Sequence, residues 1–531
     1  MPPRGLYLKP NVQVEPLFNQ WYAWPHLIAP ATAMMNVANS HLKIMKSYVS
    51  APQLHASAVK NPKMLGGPFI DYEGGRVAEI KSLIEKLEKE QSHMLDFAES
   101  VRTLDKTLRD EAEGYTLEPL YRKTPENLRG LVELVYDLNN NPSIRFIEGL
   151  LYKSKFYDPS LQSISLSMVF QDYRPFVLST PRLPSEDVVQ VNIPFRHEGV
   201  DELFSMKLTP KPLAALTEHL KVEARDEKTF SSFFTEEAPP PAPPRYNGEG
   251  VRVRYFGHAC LLLETREISV LVDPAISYAY PSENNRYTYL DLPHVIDYVL
   301  ITHAHTDHIM LESLLQLRHR TKNVIIPGSR SGCLEDPSLK LILRNIGFKN
   351  VRELGEMETI EIEGGSLTGV PFLGEHADLN VGSKIAHLLE LKGRTFLLAA
   401  DSNNIEPKLY ERVFAAVGNV DVLFLGMECD GAPLSWVYGP LLTKPLDRRM
   451  DQSRRLSGSN YERGIGLVNQ FNFKEVYVYA MGQEPWLNYV MCTRYTEESN
   501  PIVASNKIVA DCKSRGVAAE RLFGHKEMIY E

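Results

Sequence analysis

The sequence predicts an α/β protein in two parts: a separate amino-terminal α+β domain, then a larger domain of two mixed sheets with helices outside. Three observations carry this. The chain has 531 residues, too many for one ordinary core. Its single low-complexity stretch, Glu236-Glu237-Ala238-Pro239-Pro240-Pro241-Ala242-Pro243-Pro244, has a proline density that neither a helix nor a central strand accepts. The texture changes across that stretch, from long amphipathic segments to short apolar runs in hairpins with helical segments between them. The expected division is residues 1–237, a proline-rich linker at 238–248, and residues 249–531.

Composition narrows the class. Hydrophobic content of 43% and charged content of 24% are those of a globular protein. A formal charge of -9 argues against a nucleic-acid partner, because phosphate binding wants a basic face. Met1-Pro2-Pro3-Arg4-Gly5-Leu6-Tyr7 has no apolar signal core, and no apolar run is long enough to span a bilayer, so no membrane association is expected. Five scattered cysteines without zinc-ribbon spacing read as reduced thiols of a cytoplasmic protein.

In the first part a helix is expected over residues 34–48. The clearest helix of the chain is expected over 76–110, where Val77, Ile80, Ile84, Leu87, Met94, Ala98, Val101, Leu104 and Leu108 form an apolar stripe. That stripe faces a core or supplies the seam of a homodimer. A further helix is expected over 127–138, a turn at Asn139-Asn140-Asn141-Pro142, and a strand over 188–193. The histidines here (His26, His41, His55, His93, His197, His219) are isolated and read as structural or solvated. Beyond the linker, strands are expected over 251–256, 259–264, 268–272, 295–301, 324–326, 359–362, 386–391, 395–399 and 420–425.

The candidate chemistry is concentrated in Thr302-His303-Ala304-His305-Thr306-Asp307-His308. Residues 295–301 before it read as a buried strand and 309–317 after it as a helix, so the motif sits on a strand-to-helix loop. Alternate residues of an extended segment point the same way, which aims His303 and His305 at one ion and leaves Asp307 and His308 for a second. Two ions need more ligands. Val370-Pro371-Phe372-Leu373-Gly374-Glu375-His376 offers Glu375 or His376, and successive residues point apart, so one of them coordinates. Asp401 ends the apolar run 397–400, where an unpartnered carboxylate is costly, and it would bridge the two ions.

With Tyr255-Phe256-Gly257-His258-Ala259 and Val272-Asp273-Pro274 ahead of it and Asp401 behind, the histidine motif resembles the metallo-β-lactamase superfamily over residues 251–424. That resemblance implies an αββα sandwich with a dinuclear site at the sheet edge. It leaves the reaction open, because the superfamily hosts several. The usual third ligand is a histidine; the usual late histidine of the second metal could here only be His525. If Glu375 coordinates and His525 does not, the set is three imidazoles and three carboxylates, whose oxygen atoms favour iron or manganese over zinc. Gly374-Glu375-His376-Ala377-Asp378-Leu379, the run from Gly426 through Glu428 to Trp436, and the attached amino-terminal domain are similar to the diiron β-hydroxylases of chloramphenicol-type antibiotic biosynthesis. The similarity extends over nearly the whole chain.

That second resemblance implies a non-haem diiron monooxygenase with Glu375 in the histidine's place. The ligands would be His303, His305, Asp307, His308, Glu375 and Asp401. It implies two Fe ions with an oxo or hydroxo bridge, O2 and an external electron donor. The substrate would be an aminoacyl thioester, L-p-aminophenylalanine as in the chloramphenicol-type relative, carried on a nonribosomal-peptide-synthetase carrier domain and hydroxylated at its β-carbon. The chain has no G-x-G-x-x-G or P-loop, so the electrons are expected from a partner reductase. His258 and Asp273 are expected to support ligands by hydrogen bonds. Glu428 follows the run 420–425 and is expected on the metal side as an acid or substrate contact. Arg448, Arg449, Arg454 and Arg455 would form a basic face for an acidic carrier. The rival readings are a dinuclear zinc hydrolase of an ester, thioester or lactone, and a protein-docking module beside a degenerate metal site.

Overall fold

Two seven-stranded sheets form the carboxy-terminal part in the computed structural model. The first runs, edge to edge, Val351–Leu354, Thr321–Pro327, Ile296–Leu300, Ser269–Val272, Cys260–Glu264, Val251–Gly257 and Lys526–Tyr530. The second runs Thr359–Ile362, Gly365–Val370, Ala386–Leu391, Arg394–Leu398, Val422–Gly426, Glu475–Tyr479 and Ala518–Arg521. In each sheet one half is antiparallel hairpins and the other half is parallel with crossovers. Residues 5–531 are described; Met1–Arg4, the start of the segment expected to lack an apolar leader core, lie outside them. No helix among the described residues is long and apolar enough to cross a membrane, and all five cysteines are free thiols.

The alternation read from the sequence becomes layers. Val251, Val253, Leu261 and Leu263 meet Leu389, Phe396 and Phe424 between the sheets. The helices Pro407–Val417, Tyr461–Gln470 and Asn500–Ser514 cover the far side of the second sheet. This is the αββα sandwich that the resemblance implied. The outer face of the first sheet shares one continuous apolar core with the amino-terminal part. Leu311–Leu317, the helix after the histidine motif, is consequently buried on all sides.

In the amino-terminal part an antiparallel four-stranded sheet, ordered Trp21–Tyr22, Val12–Phe18, Gln162–Met168 and Val189–Val191, packs with helices. Tyr7–Leu8 pairs with Phe234–Thr235 just before the prolines. Three expectations need correction. The helix expected over 76–110 is two, Val77–Glu90 and Ser92–Glu111. They are broken at Gln91, whose buried amide exchanges hydrogen bonds of 2.7 and 3.1 Å with Asn19. Most of the stripe lies in the chain's own core and is not free to form a dimer seam. The segment expected as a helix over 127–138 is a short 3-10 turn and then the strand Val132–Tyr136 of a hairpin with Pro142–Phe146. Val132, Leu134 and Tyr136 share one face of that strand, and Asp137 closes the turn by accepting from the N–H groups of Asn139 and Asn141, each at 2.8 Å. The expected helix over 34–48 runs Pro30–Asn36, a π-helical turn Val37–His41, and Leu42–Ser50.

The two parts are pinned by buried charge. Arg174 reaches Glu15 of the amino-terminal sheet at 2.6 Å and Glu312 of the buried helix at 2.9 Å. Arg182 pairs with the same Glu15 at 3.0 Å. Burial opposes the charge on Glu15, but the two guanidinium groups outweigh it and hold its carboxyl at about 2.

Candidate metal centre

The strand Ile296–Leu300 delivers the histidine motif to the sheet edge. Asp273, at the end of the neighbouring strand Ser269–Val272, anchors the motif there. It accepts from the Thr302 N–H at 2.8 Å and the Thr302 hydroxyl at 2.6 Å, and it holds His308 Nδ1 at 2.8 Å. The Thr302 hydroxyl lies 3.0 Å from His303 Nδ1. Both rings are therefore gripped on one nitrogen and present Nε2 to the same space. The turn is closed by the N–H groups of His308 and Ile309 on the His305 carbonyl, each at 3.0 Å.

Three sets of ligand-type atoms gather within 4.8 Å: His303, His305 and Glu375; His303, His308 and Asp401; and His258, Asp307 and His308. His305 Nδ1 is 2.6 Å from Glu375 Oε1, and His308 Nε2 is 3.1 Å from Asp401 Oδ2. His303 Nε2 lies 3.6 Å from Glu375 and 3.8 Å from Asp401. His303 Nε2, Glu375 Oε2 and Asp401 Oδ1 are buried without a hydrogen-bond partner among the described residues. Buried lone pairs facing one another are costly unless cations share them, so the set fits two metal ions. Imidazole nitrogen mixed with carboxylate oxygen suits iron.

The backbone places Glu375 and His376 differently. Gly374 and Glu375 both adopt left-handed conformations, φ 80° and 69°. A Cβ at position 374 would come within 2.7 Å of Asn403 Cβ, so glycine is required there. This turn swings the Glu375 carboxylate between His303 and His305. His376 instead lies flat on His305, ring centroids 4.4 Å apart, and belongs to none of the three sets. His258, Asp273 and Ala400 also have positive φ, a clustering of strain common at functional sites.

The electrostatics arise from burial and mutual proximity. Burial drives His303 well below the usual imidazole range. Burial opposes charge on His308, but Asp401, Asp307 and Asp273 outweigh it and raise its pKa. Burial lifts Glu375 to about 7 against the pull of His305. Burial opposes the Asp307 charge too, yet His308 and His258 bring it down.

His258 and Asp273 are where a supporting role needs them. The Gly482 N–H donates to His258 Nδ1 at 3.1 Å, so Nε2 carries the proton and donates to Asp307 at 3.0 Å. Glu428 is on the metal side: its buried Oε1 has no partner among the described residues, and burial, then Asp401 and Asp307, hold its carboxyl well above the ordinary range. His525 is exposed, rests against Tyr287, and joins none of the metal-type sets. The arginine run divides. Arg448 and Arg449 are exposed, whereas Arg454 donates to the Ala377 carbonyl at 2.9 Å and Arg455 to Gln452 at 3.0 Å.

Two neighbours of the site went unread in the sequence. The Tyr438 hydroxyl lies 3.2 Å from His305 Nε2. His26, expected to be isolated, is buried beside Tyr438 with both ring nitrogens unpartnered among the described residues. Burial first and then His305 press its pKa down to about 3. The π-helical turn adds a tether, Asn39 donating to the Pro440 carbonyl at 2.7 Å. The amino-terminal part thus helps wall the centre. No local pattern marked either residue, since each is brought in from far along the chain.

Comparison with known proteins agrees. The family model for the diiron non-heme β-hydroxylase N-terminal domain matches residues 7–239, and that for the β-lactamase superfamily domain matches 252–433. A 4-amino-L-phenylalanyl-[CmlP-peptidyl-carrier-protein] 3-hydroxylase of Streptomyces venezuelae is 39% identical over 524 residues, 97% of this chain and 98% of the relative. The crystal structure of CmlA, a diiron β-hydroxylase from Streptomyces venezuelae, superposes with a TM-score of 0.93 at 38% identity, covering 99% of this chain and 100% of that one. A CmlA point mutant gives a TM-score of 0.91 at 38% identity and the same coverage. The likeness runs through both parts of the chain: the chain belongs to the family of diiron non-haem β-hydroxylases.

Proposed function

We propose that this enzyme hydroxylates the β-carbon of an aminoacyl group, L-p-aminophenylalanine, held as a thioester on a nonribosomal-peptide-synthetase carrier domain. The activity of the Streptomyces relative, 39% identical over 97% of this chain, supports the substrate class. The carrying observation is the Glu375 carboxylate between His303 and His305, where a nitrogen-rich hydrolase site would have a third imidazole. In this reading His303, His305 and Glu375 would hold one iron, Asp307 and His308 would hold the other, and Asp401 would serve both. When bound, the iron pair supplies the redox chemistry by which one atom of O2 enters the C–H bond and the other leaves as water, using two electrons from a separate reductase. Asp273 and Thr302 fix the ring orientations of His308 and His303. His258 donates to Asp307 and holds it in place, and Glu428 lies on the metal side with its carboxyl raised by burial and by Asp401 and Asp307. The amino-terminal part, residues 1–237, docks the carrier, and the reaction takes place in the cytoplasm.

The test is reconstitution with Fe(II) and a chemical reductant, then addition of O2 and a carrier domain loaded with 4-amino-L-phenylalanine. The expected result is a mass gain of one oxygen atom on the carrier. Full turnover by a zinc-loaded protein without O2 would overturn the reading.

A further inference from the structure

An open cleft of about 520 Å³ lies where the amino-terminal part meets the loops after the strand Glu475–Tyr479. Asp172 and Tyr173 form one wall, and residues 482–488 and 493–497 form the other. Its volume is in the range of about 300–1,000 Å³ usual for small-molecule sites.

One hydrogen-bonded chain runs from this cleft to the metal centre. Gly482, on its wall, donates to His258, which in turn holds Asp307. Tyr495, also on the wall, has its phenol pushed up by burial and then by the carboxylates of Glu428 and Asp401. No hydrogen bond engages the Tyr495 hydroxyl among the described residues, and Glu428 Oε1 is likewise unpartnered. The cleft thus lies on the Asp307 side of the centre, with buried His258 between them, and the Tyr495 hydroxyl is open on its wall.

The charges of the lining point to what fills it. Asp172 is occupied by Arg286 at 2.7 Å and Tyr280 at 2.6 Å. Glu484 accepts from Tyr255 at 2.5 Å, and Arg521 donates to Asn506 at 2.8 Å. Arg494 is exposed and has no acidic partner among the described residues; Arg521 and Glu497 have no ion-pair partner there either, and Glu484 Oε2 is buried without a partner. A free guanidinium is matched to a phosphate by its forked donors.

We propose that this cleft is the route by which the carrier-tethered thioester reaches the metal centre. Arg494 pairs with the phosphodiester of the carrier's pantetheine arm, and Tyr495 and Glu428 meet the aminoacyl end. The inference rests on the carrier-bound substrate proposed above, and Arg494 and Tyr495 are positioning residues in it.

The test compares wild-type protein with Arg494→Glu, Arg494→Lys and Thr496→Trp, the last placing an indole in the cleft. Iron content and the optical spectrum report the metal site, and binding is measured to the carrier domain with and without its pantetheine arm. Arg494→Glu is expected to raise KM for the loaded carrier about tenfold or more with kcat kept, and to abolish the preference for the arm-bearing carrier. Arg494→Lys restores part of it, and Thr496→Trp blocks turnover with the iron intact. Wild-type KM in both Arg494→Glu and Thr496→Trp, with active wild-type enzyme alongside, would overturn the cleft alone. A wild-type protein that hydroxylates no carrier-bound aminoacyl group overturns the underlying reading and this one with it.

Discussion

Glu375 Oε1 stands 2.6 Å from His305 Nδ1, while the adjacent His376 lies flat against the same ring at 4.4 Å. One acid therefore sits where it can share an ion with His305, while its neighbour stacks on that ring and sets its Nδ1 3.1 Å from the acid's other oxygen. Glu375→Ala is expected to lower bound iron from two ions per chain toward one. His376→Ala should leave two and cost stability of about 2 kcal/mol from the space it opens. Elemental analysis beside a urea titration separates these outcomes.

Tyr438→Phe removes only the hydroxyl that meets His305 Nε2. Outer hydrogen bonds to metal-binding histidines are worth roughly 10–100-fold in affinity. The loss should fall on the ion held by His305 and spare the other, so a Co(II) titration of metal-free protein should resolve one weakened step and one unchanged step.

Gly426→Ala places a Cβ 2.6 Å from Asp401 Oδ1 and 2.7 Å from the Ala400 carbonyl. Neither neighbour is the far end of a flexible chain. The carboxylate must shift, so weaker binding of both ions is expected from a single added methyl group. The absorption spectrum of the iron-loaded protein reads this directly.

Lys207 is buried with its Nζ unpartnered among the described residues, 4.4 Å from the Tyr289 ring centroid. Burial lowers its pKa from 10.5 to about 7. A depressed folded value means that the fold is unpenalised above pH 10.5, loses stability as pH falls toward 7, and is fully penalised below that. Lys207→Met should therefore stabilise the protein by up to roughly 4 kcal/mol below pH 7, with the gain shrinking as pH rises to 10. Urea midpoints across that pH range check the sign.

The centre's first half was legible because its signal is local. Four ligand-type residues in six positions behind an apolar strand have no packing explanation, and Asp401 announced itself by ending another such strand. The choice between Glu375 and His376 was not legible from residue types, because it turns on two successive left-handed conformations at Gly374 and Glu375. Tyr438 and His26 were invisible for a different reason. Tyr438 lies 133 residues from His305 in the chain, and only tertiary packing brings them together. The strands of the sandwich could be read from alternation and β-branching. The break at Gln91 depends on Asn19, 72 residues away, and so escaped a stripe that is otherwise continuous.

The helix Leu311–Leu317 has no face turned to water, since the sandwich takes one side and the amino-terminal part the other. An excised catalytic half would expose a bare leucine surface with Glu312 stripped of its arginine, and would be expected to self-associate rather than stay in solution. Anyone grafting this chemistry onto another carrier system must therefore transplant the whole pair of halves, because neither half is a detachable cartridge.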